Sequence, residues 1–224
     1  MRVLESESLP AHHPFCDNMK INKDLALFYG ILLGDGCISR SGNKWFVVIT
    51  CSFYDDKKFF NKVVIPITKR LRRKDVRYRE RKEYGKLEIN FSDKNLFKKL
   101  NSIGFPIGKK LNIKIPKVFF DYKLEKYVIS GIFATDGCLA MVNNNGVRYP
   151  RIEVQLNSFI LLNQIKKFLI NNGLKGNVYK INGKSGTVYR LEFPGKNNLF
   201  KFRRKIGFIN PKREEKFKNY TSKL

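Results

Sequence analysis

Hydrophobic and polar positions alternate most cleanly between residues 86 and 91, where Leu87, Ile89 and Phe91 are interleaved with Lys86, Glu88 and Asn90. Period two marks a strand with one dry face and one polar face. A Tyr84-Gly85 turn joins it to a second expected strand over Val76 to Lys82, on which Arg77, Arg79 and Arg81 share one face. The alternation returns where Arg151, Glu153, Gln155 and Asn157 interleave with Ile152, Val154 and Leu156. Other strand-like stretches run over Cys37 to Ser41, Trp45 to Phe53 and Cys138 to Val142, with a further hairpin over Asn177 to Phe193. Between them the apolar residues recur at helical spacing: about Asp55 to Leu71 with Phe59, Phe60, Val63 and Val64 as the apolar side, Lys94 to Ile103, Tyr122 to Thr135, Phe159 to Asn171 and Asn197 to Lys205. A first helix, with Asn22 as its expected cap and Asp24 in its first turn, runs into the stretch FYGILLGDG at residues 28–36.

That stretch has a second copy, ISGIFATDG, at residues 129–137. The duplication continues downstream: Asp35 and Asp136 lie 101 residues apart, whereas Asn95-Leu96-Phe97-Lys98 matches Asn198-Leu199-Phe200-Lys201 at 103, and Ile103-Gly104-Phe105 matches Ile206-Gly207-Phe208 at 103. The expected architecture is therefore α+β, two αββαββα repeats related by a pseudo-twofold, with two antiparallel sheets that carry helices on one side. The expected divisions are a tail over 1–21, a first repeat over 22–105, a linker over 106–121 and a second repeat over 122–224 that ends in a basic tail.

Each copy of the duplicated helix is shaved along one side. Ala26, Gly30 and Gly34 are four apart in the first, as are Gly131 and Thr135 in the second. Residues at this spacing share a face, along which another backbone can approach. Glycine costs up to about 1 kcal/mol in a helix interior, so its use there needs a packing reason. Both helices stop at Asp-Gly. A carboxylate at a helix C-terminus faces the negative end of the dipole, and if the shaved strips pack together in parallel, Asp35 and Asp136 meet. A hard divalent cation held by carboxylates and carbonyl oxygens would relieve the repulsion. The plainer reading, that Asp-Gly merely turns the chain, suits one copy better than two in matched positions with no third Asp-Gly in the chain.

Charge narrows the partner. The 224 residues carry 45 Lys and Arg against 19 Asp and Glu, a formal +26, which points to a polyanion and above all to a long nucleic acid. An RNA-binding protein would look similar on charge alone. Cys16, Cys37, Cys51 and Cys138 show no CxxC spacing and the only histidines are His12 and His13, which disfavours zinc and removes nuclease chemistries built on a core histidine. Unpatterned cysteines and no signal peptide suggest a reduced, intracellular protein, and the apolar run Leu25 to Leu33 is too short to span a bilayer.

With both motifs in place, the chain resembles the LAGLIDADG homing endonucleases in their single-chain, two-motif form, from about residue 22 to residue 213. The pattern aligns with Gly30, Gly34, Asp35 and Gly36 and with Gly131, Asp136 and Gly137; Phe28-Tyr29, Ile129-Ser130, Leu33, Ala134 and Thr135 depart from it. The resemblance implies site-specific cutting of both strands of a long duplex DNA by a monomer, with Mg2+, or Ca2+ or Mn2+ in its place, held by Asp35 and Asp136 and the backbone of Gly34 and Thr135. It favours Lys109 and Lys212, the first of the paired bases after each repeat, as catalytic cations, and Gln155 as a water-positioning residue that the first copy, with Thr50, Cys51 and Ser52, does not match. The polar sheet faces would read DNA through Arg77, Arg79, Arg81, Lys86, Asn90, Arg151, Glu153, Gln155, Asn157, Lys180 and Arg190. A non-cutting DNA or RNA binder of the same fold, such as a maturase for its own intron RNA, stays open as the alternative.

Overall fold

A computed structural model describes residues 19–110, 112–183 and 186–222; the greater part of the expected tail, residues 1–18, lies outside them. Helix α1 (Lys23–Asp35) starts as its sequence requires. Asn22 is extended, at φ −146°, and its side chain accepts from the Leu25 N–H at 2.9 Å. The chain leaves α1 directly into strand β1 (Gly36–Ser41), and β2 (Lys44–Ser52) returns antiparallel beside it, from Ser41 opposite Lys44 to Gly36 opposite Ile49. The turn between them has Gly42 at φ 53°, a left-handed position that suits glycine.

The helix expected over Asp55 to Leu71 begins two residues earlier and is interrupted. Helix α2 (Phe53–Phe59), capped by Ser52, passes through a π-turn at Phe60–Val64 into α3 (Ile65–Arg72). At the break the Ile65 N–H reaches back to the Phe60 carbonyl. The next residue is Pro66, which has no N–H and whose ring crowds the carbonyl four residues back, so the wider turn falls where an α-turn is hardest to make. The arginine strand is shorter than its alternation suggests. Strand β3 covers only Arg79–Arg81, then a 3-10 turn (Lys82–Tyr84) and Gly85 at φ 60° lead into β4 (Lys86–Ser92). Val76 and Tyr78 instead pack against the core, and Arg77 precedes the ladder. Helix α4 (Lys94–Ser102), capped by Asp93, closes the repeat.

The second repeat retraces this path. A short α5 (Lys117–Asp121) lies within the expected linker and leads to α6 (Glu125–Thr135), β5 (Gly137–Asn144), β6 (Val147–Leu156), α7 (Phe159–Asn171), β7 (Asn177–Gly183), β8 (Gly186–Pro194) and α8 (Lys196–Lys205). The sheets have orders β1-β2-β4-β3 and β5-β6-β8-β7, each antiparallel throughout. A further helix, α9 (Pro211–Thr221), occupies the stretch expected as a basic tail. None of its residues is buried, which is why no apolar period announces it, although Phe217 and Tyr220 rest on the core.

Each sheet buries one face. Val47, Ile49, Leu87 and Ile89 point inward in the first sheet, and Leu139, Ile152, Val154, Leu191 and Phe193 in the second. The centre of the molecule is the contact between α1 and α6, made by backbone. A Cβ on Gly30 would overlap the Val128 carbonyl oxygen, and one on Gly131 would lie 2.5 Å from the Leu27 oxygen and 2.7 Å from the Ile31 nitrogen. The shaved strips therefore face each other, and both helices deliver their C-termini to one place.

Candidate active site

At that place Asp35 ends α1 and Asp136 caps α6. Just above them the two helices differ in bulk: a Cβ on Gly34 would collide with the Thr135 side chain and come 3.0 Å from an Asp136 carboxylate oxygen. Gly34 thus leaves the room that Thr135 and Asp136 fill. The Thr135 hydroxyl donates back to the Ile132 carbonyl at 3.0 Å. Asp35 is half-buried and Asp136 is exposed to solvent on its outer side. Burial raises the pKa of Asp35 to about 7, assisted by the charges of Asp136 and Asp56 and opposed by Lys110 and Arg213. Burial also raises Asp136, against the same two cations.

Two cations answer the exposed carbonyls at the helix ends. Lys110 donates to the Leu32, Leu33 and Gly34 carbonyls, at 3.3 and 2.7 Å for the first two. Arg213 donates to the Thr135 and Gly137 carbonyls, both at 2.7 Å, and to that of Ala134. Desolvation lowers the pKa of both, and the two acids oppose that shift. The site is therefore a pair of acids beneath a pair of basic clamps, matched across the two repeats.

The bases that reach the helix ends are Lys110 and Arg213, and not their neighbours Lys109 and Lys212, the residues the sequence favoured. Both pairs are 103 apart, so spacing could not choose between them. Local geometry does. Ile107 bridges to Ile38 in parallel, the chain then bends at Gly108, whose φ is 79°, and beyond the bend Lys109 stays exposed while Lys110 turns in to the α1 carbonyls. Lys212 and Arg213 are successive residues in the first turn of α9, so they point in different directions; Lys212, exposed, pairs with Asp55 of α2. Asn210 caps α9 through the Lys212 N–H, and its amide donates to Asp56 at 3.0 Å and to the Ala134 carbonyl at 2.9 Å. It is almost fully buried. Asp56 and Asn210 escaped the sequence reading because neither falls in a repeated position.

Gln155 is exposed one residue beyond Val154, which pairs with Gly137; Thr50 is one residue beyond Ile49, which pairs with Gly36. Register thus makes Thr50 the counterpart of Gln155. On the outer sheet faces, Arg79 lies opposite Glu88, Arg81 opposite Lys86, and Asn90 opposite Val48. Arg151, Glu153, Gln155 and Arg190 share the outer face of the second sheet, and Asn157 lies just past the end of β6. Lys180 does not join them. It pairs with Tyr189, two residues from Leu191, and so belongs to the register of the helix-packed face. Arg77 is likewise removed from the strand face by the late start of β3.

A family model described as a LAGLIDADG-like domain matches residues 123–207. The second repeat carries a LAGLIDADG-like domain, and the first repeats its topology. The fold over both repeats is that of solved homing endonucleases: I-DmoI in complex with DNA and Mn superposes with a TM-score of 0.57 over 83% of this chain and 96% of that one at 18% identity, and the LAGLIDADG meganuclease I-AabMI bound to uncleaved DNA with 0.58 over 90% of each at 12%. Among curated sequences, the chain is 27% identical over 217 residues to a tRNA-splicing ligase RtcB of Pyrococcus furiosus, covering 86% of this chain and 22% of that protein. It is 30% identical over 207 residues to a probable translation initiation factor IF-2 of Methanocaldococcus jannaschii, covering 87% and 16%. The chain thus spans about a fifth of the length of the curated relatives it matches.

The donor set fits a hard divalent cation. Two carboxylates and the Gly34 and Thr135 carbonyls, each with a second lone pair beside its basic clamp, converge at the helix ends. Among the described residues no three of His, Cys, Asp and Glu gather as a complete metal cage. The chain would supply only part of a coordination shell, leaving positions for water and phosphate, as a magnesium site does.

Proposed function

We propose that this protein is a site-specific endonuclease that hydrolyses both strands of a long duplex DNA. The observation that carries the reading is the delivery of Asp35 and Asp136 to one point by backbone-packed helices, each under its own basic clamp, where two polar sheet faces begin. A divalent ion held by Asp35, Asp136 and the Gly34 and Thr135 carbonyls would supply acidity to an attacking water and charge for the departing oxygen. The chain's own part is positional. Lys110 and Arg213 hold the helix ends so that the carboxylates stay aimed outward, and they bring fixed positive charge to the place where phosphate arrives. Gln155 and Thr50, at matched register, are placed to orient water, and their unlike side chains favour unequal handling of the two strands.

A charge of +26 supports a polyanionic partner. The solved relatives of this fold include complexes with DNA in the presence of Mn or Ca. A mobile element is supported by the curated relatives: one stretch recurs as 22% of an RNA ligase and 16% of an initiation factor, a pattern that neither named activity explains and that movement between genes does.

The test uses duplexes selected by binding. With magnesium present the wild-type chain should cut both strands, and Asp35→Asn and Asp136→Asn should bind the same duplex but lose double-strand cutting by a thousandfold or so. Full cutting by either variant, or in excess chelator, overturns the reading. Sequence-specific binding without cutting by the wild type would favour a maturase or regulator instead.

A further inference from the structure

The outer face of the second sheet holds an anomaly. Glu192 is 8% exposed, the one buried charged residue among those described, and it lies on the face that should be wet. Register sets it between Asn177 and Glu153, while Arg190 and Arg151 close on it from the neighbouring positions. Arg190 Nε approaches Glu192 Oε1 to 2.6 Å, and Arg151 reaches Glu192 Oε1 at 3.3 Å and Glu153 Oε2 at 2.8 Å. The result is a chain of alternating charge, Arg190, Glu192, Arg151, Glu153, with two acids and two bases and no net charge.

Two features separate this cluster from an ordinary structural ion pair. Its contacts are close but poorly aligned: Arg151 Nε, Arg190 Nε, Glu153 Oε2 and Glu192 Oε1 all lack a properly directed hydrogen-bond partner. A buried polar network left unsatisfied on a ligand-facing surface has bonding capacity to spare for a partner. Its placement is also costly for a protein that binds phosphate, since a buried carboxylate on that face repels the backbone it must meet. Simple affinity would be better served by glutamine or by another lysine.

We propose that Glu192 is a specificity-determining positioning residue: it holds the guanidinium groups of Arg151 and Arg190 in fixed orientation so that they read base edges in the major groove. The chemistry that would recognise them is guanine, whose O6 and N7 accept the two parallel N–H groups of one guanidinium. A long, free arginine loses rotamer entropy on making that contact, and one already held by a carboxylate loses less. The same carboxylate weakens contact with any duplex that lacks the matching base, because the arginines then cannot repay its repulsion. Glu192 thus lowers general affinity and sharpens choice. This inference rests on the DNA-binding part of the proposed function.

The test is a binding profile of the full chain over every single-base variant of its selected duplex. In Glu192→Gln the preference at one or two positions within the second repeat's half of the site should fall by about tenfold or more, while affinity for unrelated duplex stays equal or rises. A folded Glu192→Gln protein with the wild-type profile overturns the inference, since a merely structural ion pair would change melting temperature alone. If Glu192→Gln does not fold, Arg190→Lys decides: it keeps the charge and loses the fork, so preference should drop with little change in general affinity, and an unchanged profile overturns the proposal. A wild-type chain without base preference would sink the DNA reading and this inference together. A preference insensitive to these substitutions sinks this inference alone.

Discussion

The two sheets of this protein share a plan and differ in how they hold charge. In the first, Arg79 and Lys86 make no ion pair among the described residues, and Arg81, 44% exposed on its side chain, reaches Glu88 only at 3.5 Å. In the second, Arg151 and Arg190 are 20% and 31% exposed and pinned to Glu192. Free cations on a wet face follow phosphate wherever it runs, whereas pinned guanidinium groups demand a matching edge. The repeats keep their acids, their basic clamps and their closing helices in step and differ in how the outer sheet faces hold charge.

The likeness at the clamps gives the largest expected effect. Lys110→Ala and Arg213→Ala should each lower cutting by about a hundredfold, the usual scale for removing one fixed charge from a phosphate site, while Lys109→Ala and Lys212→Ala should stay within a few-fold of wild type. Rates of double-strand cutting on one duplex check this. Equal losses in all four variants would mean that charge near the site matters and the clamps do not.

Next comes the helix pair. Gly30→Leu or Gly131→Leu should cost roughly 1–3 kcal/mol or more through overpacking, because the obstacle is backbone on the facing helix. Thermal melts read the loss, and an unchanged melting temperature would show that α1 and α6 do not meet through this face. A smaller effect concerns Asp35. Its pKa is about 7 folded and near 3.8 unfolded, so between those values the folded state binds the extra proton and stability falls as pH rises. In metal-free buffer Asp35→Asn should therefore melt higher than wild type at pH 8 and about equally at pH 4. A gain of the same size at both would separate the effect from the carboxylate's charge. The smallest effect lies on the first sheet: Arg79→Ala or Arg81→Ala should weaken all duplexes alike and reduce the salt slope by about one unit each. Loss of a particular base preference there would reverse the contrast drawn between the sheets.

Where period and duplication carry the information, the sequence was enough. The αββαββα order, the facing of Gly30 and Gly131 and the convergence of Asp35 and Asp136 all follow from spacing that secondary structure enforces. What it hid depends on direction at single residues. Lys109 and Lys110 are alike as letters, and only the bend at Gly108 turns one inward. Arg77 looks like the first of three strand arginines until Val76 and Tyr78 pack on the core and delay the ladder. Lys180 alternates with the wrong partner, which only the register of β7 against β8 reveals. Helix α9 has no buried residue to mark it, yet it delivers Arg213 to the site.

Sequencing the products cut from a randomised duplex library with magnesium present tests the whole account at once. It predicts broken duplexes that share one asymmetric target, with the half bound by the second repeat sharply specified, including guanine at one or two positions, and the half bound by the first repeat looser. A library left uncut, or products whose two halves are equally specified, would contradict it.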